Sequence, residues 1–324
     1  MPSFVWNDPA TLEEALVLLG PSAIPKAGGI DLMDRLKERL DTPDRVVNLR
    51  QVRGLDRLYQ SNATIELGAL VTIARLADDP LVRSRLPALG EAALRVATPN
   101  VRNAATLGGN LLQRPRCWYF RREAFHCLRK GGDNCFAQGG RNQYHAVFAN
   151  DTCAVVHPSD TAVALVAYGA RAVVASRSGT REVLLEKLFV APQEDVQREH
   201  RLAPDELLLS VRVPAPGPGT RSAYLKLGER ESADWPLASA AVVLELDGGR
   251  CSRASIVLGA AAAVPWRARE AEAQLEGRPL DAAAAEDAGK AAVSGATPLA
   301  ENGYKVRLLE VVTRRALLAA GGPT

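Results

Sequence analysis

Four of the five cysteines in this 324-residue sequence lie in one stretch, and thiolates are common ligands of iron and zinc. Cys117, Cys127, Cys135 and Cys153 are separated by nine, seven and seventeen residues. This spacing lacks the C-x2-C pair of zinc ribbons and the C-x2-C-x2-C run of bacterial ferredoxins. Four thiolates on one loop can nevertheless hold a [4Fe-4S] cluster, which is our first hypothesis. A zinc ion and free core cysteines remain as alternatives.

Positive charge surrounds the first two of these cysteines. A cluster with four thiolate ligands is anionic, so nearby cations offset its charge. Glycine pairs at 131–132 and 139–140 let the backbone fold around a compact centre. His126 and His145 are possible substitute ligands, whereas the distant Cys251 is predicted to be a small hydrophobic side chain beside a strand. The basic residues are Arg114, Arg116, Arg121, Arg122, Arg129 and Lys130.

A glycine pair between a predicted strand and a predicted helix near the N-terminus suits the binding of a diphosphate. Glycine lets the backbone approach a ligand closely, and the helix that follows points free N–H groups at the turn. The pattern is not the G-x-G-x-x-G fingerprint of dinucleotide-binding folds, and a plain structural turn remains an alternative. The predicted binding residues are Lys26, Ala27, Gly28, Gly29, Ile30, Asp31 and Leu32.

A second glycine pair, Gly108-Gly109, has threonine and asparagine neighbours whose side chains can hydrogen-bond a phosphate or a ring edge. Two such turns in one domain predict a single extended ligand that lies across both. Two unrelated turns are the alternative. The residues assigned to this second contact are Thr106, Gly109 and Asn110.

The predicted elements place both motifs in the first of two domains. Strand and helix alternate over residues 1–55, with a capping-box pattern at Thr11 and Glu14, and we take this stretch as one lobe. A helix is predicted from Asp160 to Ala167 in the second lobe, which covers 56–215. Within it, the stretch 98–154 has little helix or strand signal and contains the cysteine loop 113–154. Because a loop of that length inside a compact domain is usually functional, the cysteines are expected to form a site.

A proline- and glycine-rich run at 214–219 predicts a linker, and the remaining residues 220–324 read as a C-terminal α+β domain. Two strands joined by Asp247-Gly248-Gly249 predict a hairpin. We also predict three helices, from Val264 to Leu275, from Asp281 to Val293 and from Gly303 to Ala319.

Composition and charge exclude several classes of protein. Hydrophobic residues make up 47% and charged residues 24% of the chain, which is ordinary for a globular protein. A net charge of +3 is too mild to indicate nucleic-acid binding. The N-terminus lacks the pattern of a signal peptide, and no apolar window approaches a membrane span. We therefore expect a cytoplasmic chain, or a periplasmic one exported with a signal-bearing partner.

Taken together, these motifs resemble the FAD-binding subunits of the xanthine dehydrogenase, or molybdenum hydroxylase, family over essentially the whole chain. The nearest in pattern are the [4Fe-4S]-containing FAD subunit of periplasmic aldehyde oxidoreductase and, less closely, that of 4-hydroxybenzoyl-CoA reductase. The matching segments are Lys26 to Leu32, Val101 to Leu111, Gln113 to Cys117, His157 to Asp160, Tyr224 to Lys226 and Pro265 to Arg267.

The resemblance implies a fold and an assignment of residues. The fold is a two-lobed FAD-binding domain of the vanillyl-alcohol-oxidase (PCMH) type over 1–215, then a CO-dehydrogenase-flavoprotein-like domain over 220–324. By position, Pro25 to Met33 wraps the FAD diphosphate, while Asp160 binds a polar part of FAD and Lys226 lies near the isoalloxazine ring. Thr106, Gly109 and Asn110 supply the second contact, and Cys117, Cys127, Cys135 and Cys153 hold the cluster.

The resemblance also implies partners: a large subunit with a molybdenum cofactor, a small [2Fe-2S] subunit and an external electron acceptor. The chain departs from the pattern at Ile30, where threonine or serine is usual, and at Ala233 to Pro236. No nucleophile elbow and no H-E-x-x-H motif is present, so we predict no catalytic residue of its own. A stand-alone flavoprotein oxidase of this fold and a zinc-binding scaffold are the rival hypotheses.

Overall fold

The N-terminal lobe is a small parallel sheet with two crossover helices. The computed structural model describes residues 3–231 and 233–321. The elements of the lobe are β1 (Val5–Asn7), α1 (Leu12–Leu18), β2 (Ala23–Lys26), α2 (Ile30–Lys37) and β3 (Arg45–Asn48). The strand order is β1-β3-β2, and both pairings are parallel. The Thr11 hydroxyl accepts the N–H of Glu14, whose carboxylate accepts the N–H of Thr11, so the predicted capping box starts α1.

The second lobe opens with a hairpin and three short helices. They are β4 (Leu58–Ser61), β5 (Thr64–Gly68), α3 (Ile73–Asp78), α4 (Pro80–Arg85) and α5 (Pro87–Leu94). Side chains of Thr72 and Asp79 cap α3 and α4, and a proline begins both α4 and α5. These local signals stop and restart the helix, so that each piece turns its apolar face into the core of the lobe.

Short helices interrupt the stretch 98–154, for which the sequence predicts a loop. They are α6 (Pro99–Ala104), α7 (Leu107–Leu111) and α8 (Phe136–Gly139). The hydroxyls of Thr98 and Thr106 accept backbone N–H groups from the first turns of α6 and α7. The second glycine pair therefore lies inside α7 and not in a turn, because the threonine cap supports a helix that is too short to show periodicity.

A five-stranded sheet completes the lobe. Its remaining elements are α9 (Asp160–Ala167), β6 (Arg171–Ser176), β7 (Gly179–Leu184), α10 (Leu185–Leu188) and β8 (Leu207–Pro214). The order is β4-β5-β8-β6-β7, and every neighbouring pair is antiparallel. All eight residues of α9 are buried. Ala175 and Leu207 pack against Ala15 and Leu16, and this contact joins the two lobes.

A four-stranded antiparallel sheet and three helices form the C-terminal part. The elements are β9 (Thr220–Leu227), β10 (Ala238–Asp247), β11 (Arg250–Gly259), β12 (Trp266–Arg267), α11 (Arg269–Ala273), α12 (Ala282–Ala291) and α13 (Tyr304–Gly321). The sheet order is β12-β11-β10-β9. Gly248 and Gly249 both have positive φ and close the predicted hairpin. Among the residues in the two described ranges, no helix is both long and apolar enough to cross a bilayer.

The predicted helix from Val264 to Leu275 is largely wrong. Its first part is the edge strand β12, in which Trp266 pairs with Leu258 of β11. The Trp266 ring stacks on Phe148 at a centroid distance of 4.8 Å. This long-range pairing and stacking hold the segment extended, so that only five residues, Arg269–Ala273, form a helix.

Candidate functional site

A cleft of about 880 Å³ lies between the N-terminal lobe and the five-stranded sheet. Most of its lining comes from three separate segments of the chain, which form its walls: residues 23–35, 96–116 and 198–208. Most of the lining is apolar, and a few charged groups converge on it. This composition is typical of a site for a cofactor or a large ligand.

The first glycine pair makes the close approach that joins two of these walls. A Cβ atom on Gly28 would lie 2.0 Å from the carbonyl oxygen of Ala104, so a residue larger than glycine does not fit without a backbone shift. Gly29 is the N-cap residue of α2 and has φ of +84°, in the left-handed region. Because glycine has no side chain to cap the helix, the first N–H groups of α2 open onto the cleft.

The structure brings both predicted glycine segments to this one cleft. All seven residues from Lys26 to Leu32 line it, and so do Thr106, Gly109 and Asn110. The Asn110 carboxamide oxygen accepts hydrogen bonds from Ser159 and Thr161, at 2.6 and 2.7 Å. These bonds to α9 and its cap fix the asparagine in the cleft wall.

Asp160 and Lys226, which the resemblance assigns to FAD, do not lie among the described residues that line the cleft. They form a buried ion pair with 2.9 Å between Nζ and Oδ2, and the Tyr224 hydroxyl donates to the same carboxylate. Lys226 also donates to the carbonyl oxygen of Arg95 at 2.9 Å, next to the lining residue Val96. Burial raises the pKa of Asp160, while Lys226 opposes that rise. The two side chains are therefore bonded to each other and support the cleft wall from behind.

Several lining residues were not anticipated from the sequence. They come mainly from the segment before β8 and carry no motif, so only the fold places them here. The Arg116 guanidinium lies 4.9 Å from the centre of the Trp235 ring at one end of the cleft. Trp235 comes from the segment 233–236, where the chain departs from the family pattern. The polar lining residues that the sequence did not assign to the ligand are Asp34, Arg35, Gln113, Arg116, Arg198, His200 and Glu206.

Asp31, in the first turn of α2, is surrounded by guanidinium groups. Its Oδ1 lies 2.8 Å from Arg116 and 2.7 Å from Arg121, and its Oδ2 lies 3.6 Å from Arg35. The backbone N–H of Arg114 donates to Oδ2 at 3.1 Å. Burial alone would raise the pKa of Asp31, but these three guanidiniums outweigh it and lower the pKa. The carboxylate is therefore ionised and bonded to protein groups on both oxygens.

The four predicted cysteine ligands line a single small cavity. Cys127 and Cys153 are buried, and Cys117 and Cys135 are half-buried. Cys251 is buried in the C-terminal core, as the sequence predicts. The thiols surround the cavity and do not meet at one point: in the described part of the chain, no three His, Cys, Asp or Glu side chains form a group for a single ion.

Buried polar groups surround these thiols. The hydrogen bond from the Cys135 thiol and the charge of Arg129 lower the pKa of Cys153, although burial opposes them. Burial raises the pKa of Cys117 to about 11. The Nε2 atom of His145 lies 3.3 Å from the Cys117 sulfur, and burial lowers the pKa of His145 to about 4. His145 is thus a neutral neighbour of the thiol.

Comparison with known proteins identifies the family. The family described as "FAD binding domain in molybdopterin dehydrogenase" matches residues 2–216, and "CO dehydrogenase flavoprotein C-terminal domain" matches residues 223–320. The chain belongs to this family of FAD-binding subunits. The aldehyde oxidoreductase FAD-binding subunit PaoB of Escherichia coli K12 is 35% identical over 89% of this chain and 88% of its own. The carbon monoxide dehydrogenase medium chain of Afipia carboxidovorans is 30% identical over 97% of this chain and 96% of its own.

Solved structures of the family share the fold. Carbon monoxide dehydrogenase from Hydrogenophaga pseudoflava superposes with a TM-score of 0.78 at 28% identity and covers 98% of this chain and 97% of its own. Quinoline 2-oxidoreductase from Pseudomonas putida 86 gives 0.78 at 27% identity, over 99% and 97%. The predicted family, the two-part fold and FAD binding are confirmed, and this subunit is part of an oxidoreductase. The matching family descriptions name FAD and not a cluster, so the [4Fe-4S] centre stays a prediction.

The C-terminal part of the FAD subunit holds the cysteine loop through buried polar side chains. Lys305 of α13 is fully buried, and its ammonium donates to the carbonyl oxygens of Ala260, His145 and Tyr144 at 2.7, 2.8 and 3.3 Å. The Asn302 carboxamide donates to His145 at 3.1 Å. The peptide group of His145, whose ring contacts Cys117, is thus fixed by a helix that lies about 160 residues after His145 in the chain.

Replacing Lys305 by methionine should lower the free energy of unfolding by about 2 kcal/mol. The change leaves buried carbonyl oxygens without a donor, which costs about 1–3 kcal/mol each, while removal of a buried charge offsets part of the loss. Thermal unfolding of the purified chain measures the effect. Lys290→Met is the matched control, because that lysine is exposed and pairs with Glu286 on the surface of α12. Equal melting temperatures for the two variants would contradict the role given to Lys305.

Proposed function

We propose that this chain is the FAD-binding, electron-transferring subunit of a heterotrimeric molybdenum hydroxylase, and that it carries a [4Fe-4S] cluster on its four clustered cysteines. The observation on which this depends most is the convergence of both glycine segments on one cleft. The proposed division of the chain is a FAD domain over 1–215 and a C-terminal domain over 220–324.

The FAD diphosphate is assigned to the N-terminus of α2. The left-handed Gly29 opens the helix start, and the N–H groups of the first turn can bond phosphate oxygens with the favourable helix dipole behind them. Ile30 supplies no hydroxyl, so the backbone must make that contact. Thr106, Gly109 and Asn110 on the facing wall supply the second contact, at a distance that the Gly28–Ala104 approach sets.

The cysteine cavity fits a cluster by the chemistry of its lining. Four thiols surround one space, so each can bind a separate iron corner. The buried Arg129 guanidinium offsets the anionic charge of a cluster at Cys153, and His145 is positioned to donate an N–H to the sulfur of Cys117. Aromatic rings of Tyr119 and Phe120 line the same cavity and shield it from water.

The proposed route of electrons runs from a partner subunit to FAD here and then to an external acceptor. Bound flavin supplies two-electron redox chemistry, and the protein supplies position and electrostatics. Substrate oxidation is assigned to a large molybdenum subunit, and a small [2Fe-2S] subunit joins it to this chain. The names of several relatives as medium chains or medium subunits support an assembly of three kinds of chain.

Anaerobic purification of the chain alone and with its partner subunits tests the proposal. We expect stoichiometric FAD and about four iron atoms per chain, with an iron–sulfur shoulder in the visible spectrum. An aldehyde or aromatic heterocycle should bleach the flavin only when the partners are present. Turnover by the chain alone would establish the oxidase alternative, and a colourless chain with stoichiometric zinc would establish the scaffold.

A further inference from the structure

We propose that Asp31 couples the two cofactor sites, so that filling the cysteine cavity raises the affinity of the cleft for FAD, and the reverse. The proposal rests on the proposed function, since it needs FAD in the cleft and a cluster on the thiols. Its basis is a continuous network of polar contacts that begins in the cleft wall and ends beside Cys153. Asp31 acts in it as a positioning residue, because its carboxylate oxygens are bonded to the protein and not turned to a ligand.

At the cleft end, one carboxylate ties α2 to the cysteine loop at three points. The side chain of Asp31 is only 12% exposed. Its Oδ1 accepts from the guanidiniums of Arg116 and Arg121, and its Oδ2 accepts from the backbone N–H of Arg114. Arg121 also donates to the carbonyl oxygen of Pro115, which holds the start of the loop against the helix. A shift of the loop must therefore move the first turn of α2.

The same network reaches the thiols through Glu199. Its Oε1 accepts from Nε of Arg114 at 3.0 Å and from Nη1 of Arg129 at 2.8 Å. The Arg129 side chain is 2% exposed and lines the same small cavity as Cys153. The groups that connect the cleft to the cavity thus alternate in charge, and most of them are buried. The loss of one charged group therefore leaves its neighbours without a partner.

Electrostatics explains why a filled cavity should raise the affinity for FAD and not lower it. An unpaired carboxylate in the first turn of α2 would repel a diphosphate, whereas the guanidiniums offset that charge. Ligation of Cys117 fixes the neighbouring Arg116, and ligation of Cys127 fixes the peptide that leads to Arg129. A filled cavity therefore holds the arginines on Asp31 and prepares the cleft for the phosphates. By linkage, bound FAD must favour the filled cavity by the same factor.

A double-mutant cycle on the full-length chain tests the coupling. The dissociation constant of FAD is measured by the quenching of flavin fluorescence on the deflavinated wild type, Cys135→Ser, Asp31→Asn and the double variant. We expect Cys135→Ser to weaken FAD binding about tenfold in the wild-type background and less than about twofold in the Asp31→Asn background. Equal factors in both backgrounds would overturn the coupling.

A second variant tests the network at a residue that does not contribute to the cleft lining. Glu199→Gln breaks the network at its middle, and Glu199 is not among the described residues of the cleft lining. In the Glu199→Gln background, Cys135→Ser should weaken FAD binding by less than the tenfold factor expected in the wild type. The control is Glu66→Gln, which breaks a similar pair with Arg212 in the five-stranded sheet and should leave the tenfold factor unchanged. An unchanged factor in Glu199→Gln would contradict the network.

The reciprocal measurement is the rate at which a chelator removes iron. FAD should slow this loss in the wild type and not in Asp31→Asn, with far-UV circular dichroism as the check that both chains are folded. If the purified wild-type chain contains no iron or no FAD, the proposed function itself is wrong. If the chain binds both cofactors but the affinity for each does not depend on the other, only the coupling is wrong.

Discussion

Replacement of Cys135 by serine should lower the iron content of the purified chain from about four atoms to fewer than about one. Cys135 lies at the start of α8 and lines the small cavity together with Cys153. A serine hydroxyl keeps the size of the side chain but is a poor ligand for iron at neutral pH, whereas a thiolate is a good one. Metal analysis and the visible spectrum after anaerobic purification measure the loss.

The matched control for this variant is Cys251→Ser. Cys251 is also buried, but its sulfur donates to the carbonyl oxygen of Arg253 in the C-terminal core, and a serine can make the same bond. Iron should stay at the wild-type level there. If Cys135→Ser keeps its iron, Cys135 is not a ligand. If both variants lose iron, the loss reflects general instability and not ligation.

Replacement of Gly28 by alanine should weaken FAD binding about 10- to 100-fold. The added methyl group would lie 2.0 Å from the carbonyl oxygen of Ala104, so the two walls of the cleft must separate. Overpacking of this kind costs about 1–3 kcal/mol, and a separation of the walls pulls the facing phosphate contacts apart. Titration of FAD into the deflavinated chain, followed by flavin fluorescence, gives the dissociation constant.

Substitutions at two other glycines distinguish the expected loss of FAD affinity from a general loss of stability. An added Cβ on Gly20 meets nothing within 4 Å, so Gly20→Ala should bind FAD as the wild type does. At Gly29 the nearest atom is the flexible Lys26 side chain at 3.1 Å, and the cost is the left-handed backbone, about 1–2 kcal/mol. Gly29→Ala should therefore be milder than Gly28→Ala. The reverse order would show that backbone conformation, and not the approach of the walls, limits binding.

Local signals in the sequence were reliable where a few adjacent residues decide the structure. The capping box at Thr11, the hairpin at Gly248-Gly249 and the start of α12 next to Asp281 all lie where the sequence predicts. The same holds for α9, which begins at Asp160 as expected. Each depends on hydrogen bonds or dihedral angles within about four residues, so little else in the fold can override it.

Local signals failed where a distant partner decides. Trp266 lies in a strand because β11 and Phe148 hold it extended, and nothing beside it in the chain shows this. Lys226 pairs with Asp160 across 66 residues and so supports the cleft wall, and no local pattern predicts this pair. The assignment of both residues to FAD stays a prediction. The polar residues of the third wall, such as Arg198 and His200, have no motif at all.

The amino-acid sequence by itself determined the family, the two glycine segments and the set of four cysteines, because these depend on residue type and spacing. Only the tertiary structure decided that Gly28 touches Ala104, that the four thiols share one cavity, and that Asp31 bonds to the cysteine loop. These contacts join residues that are far apart in the chain. Their geometry follows from how sheets and helices pack, and short-range propensity contains no information about that packing.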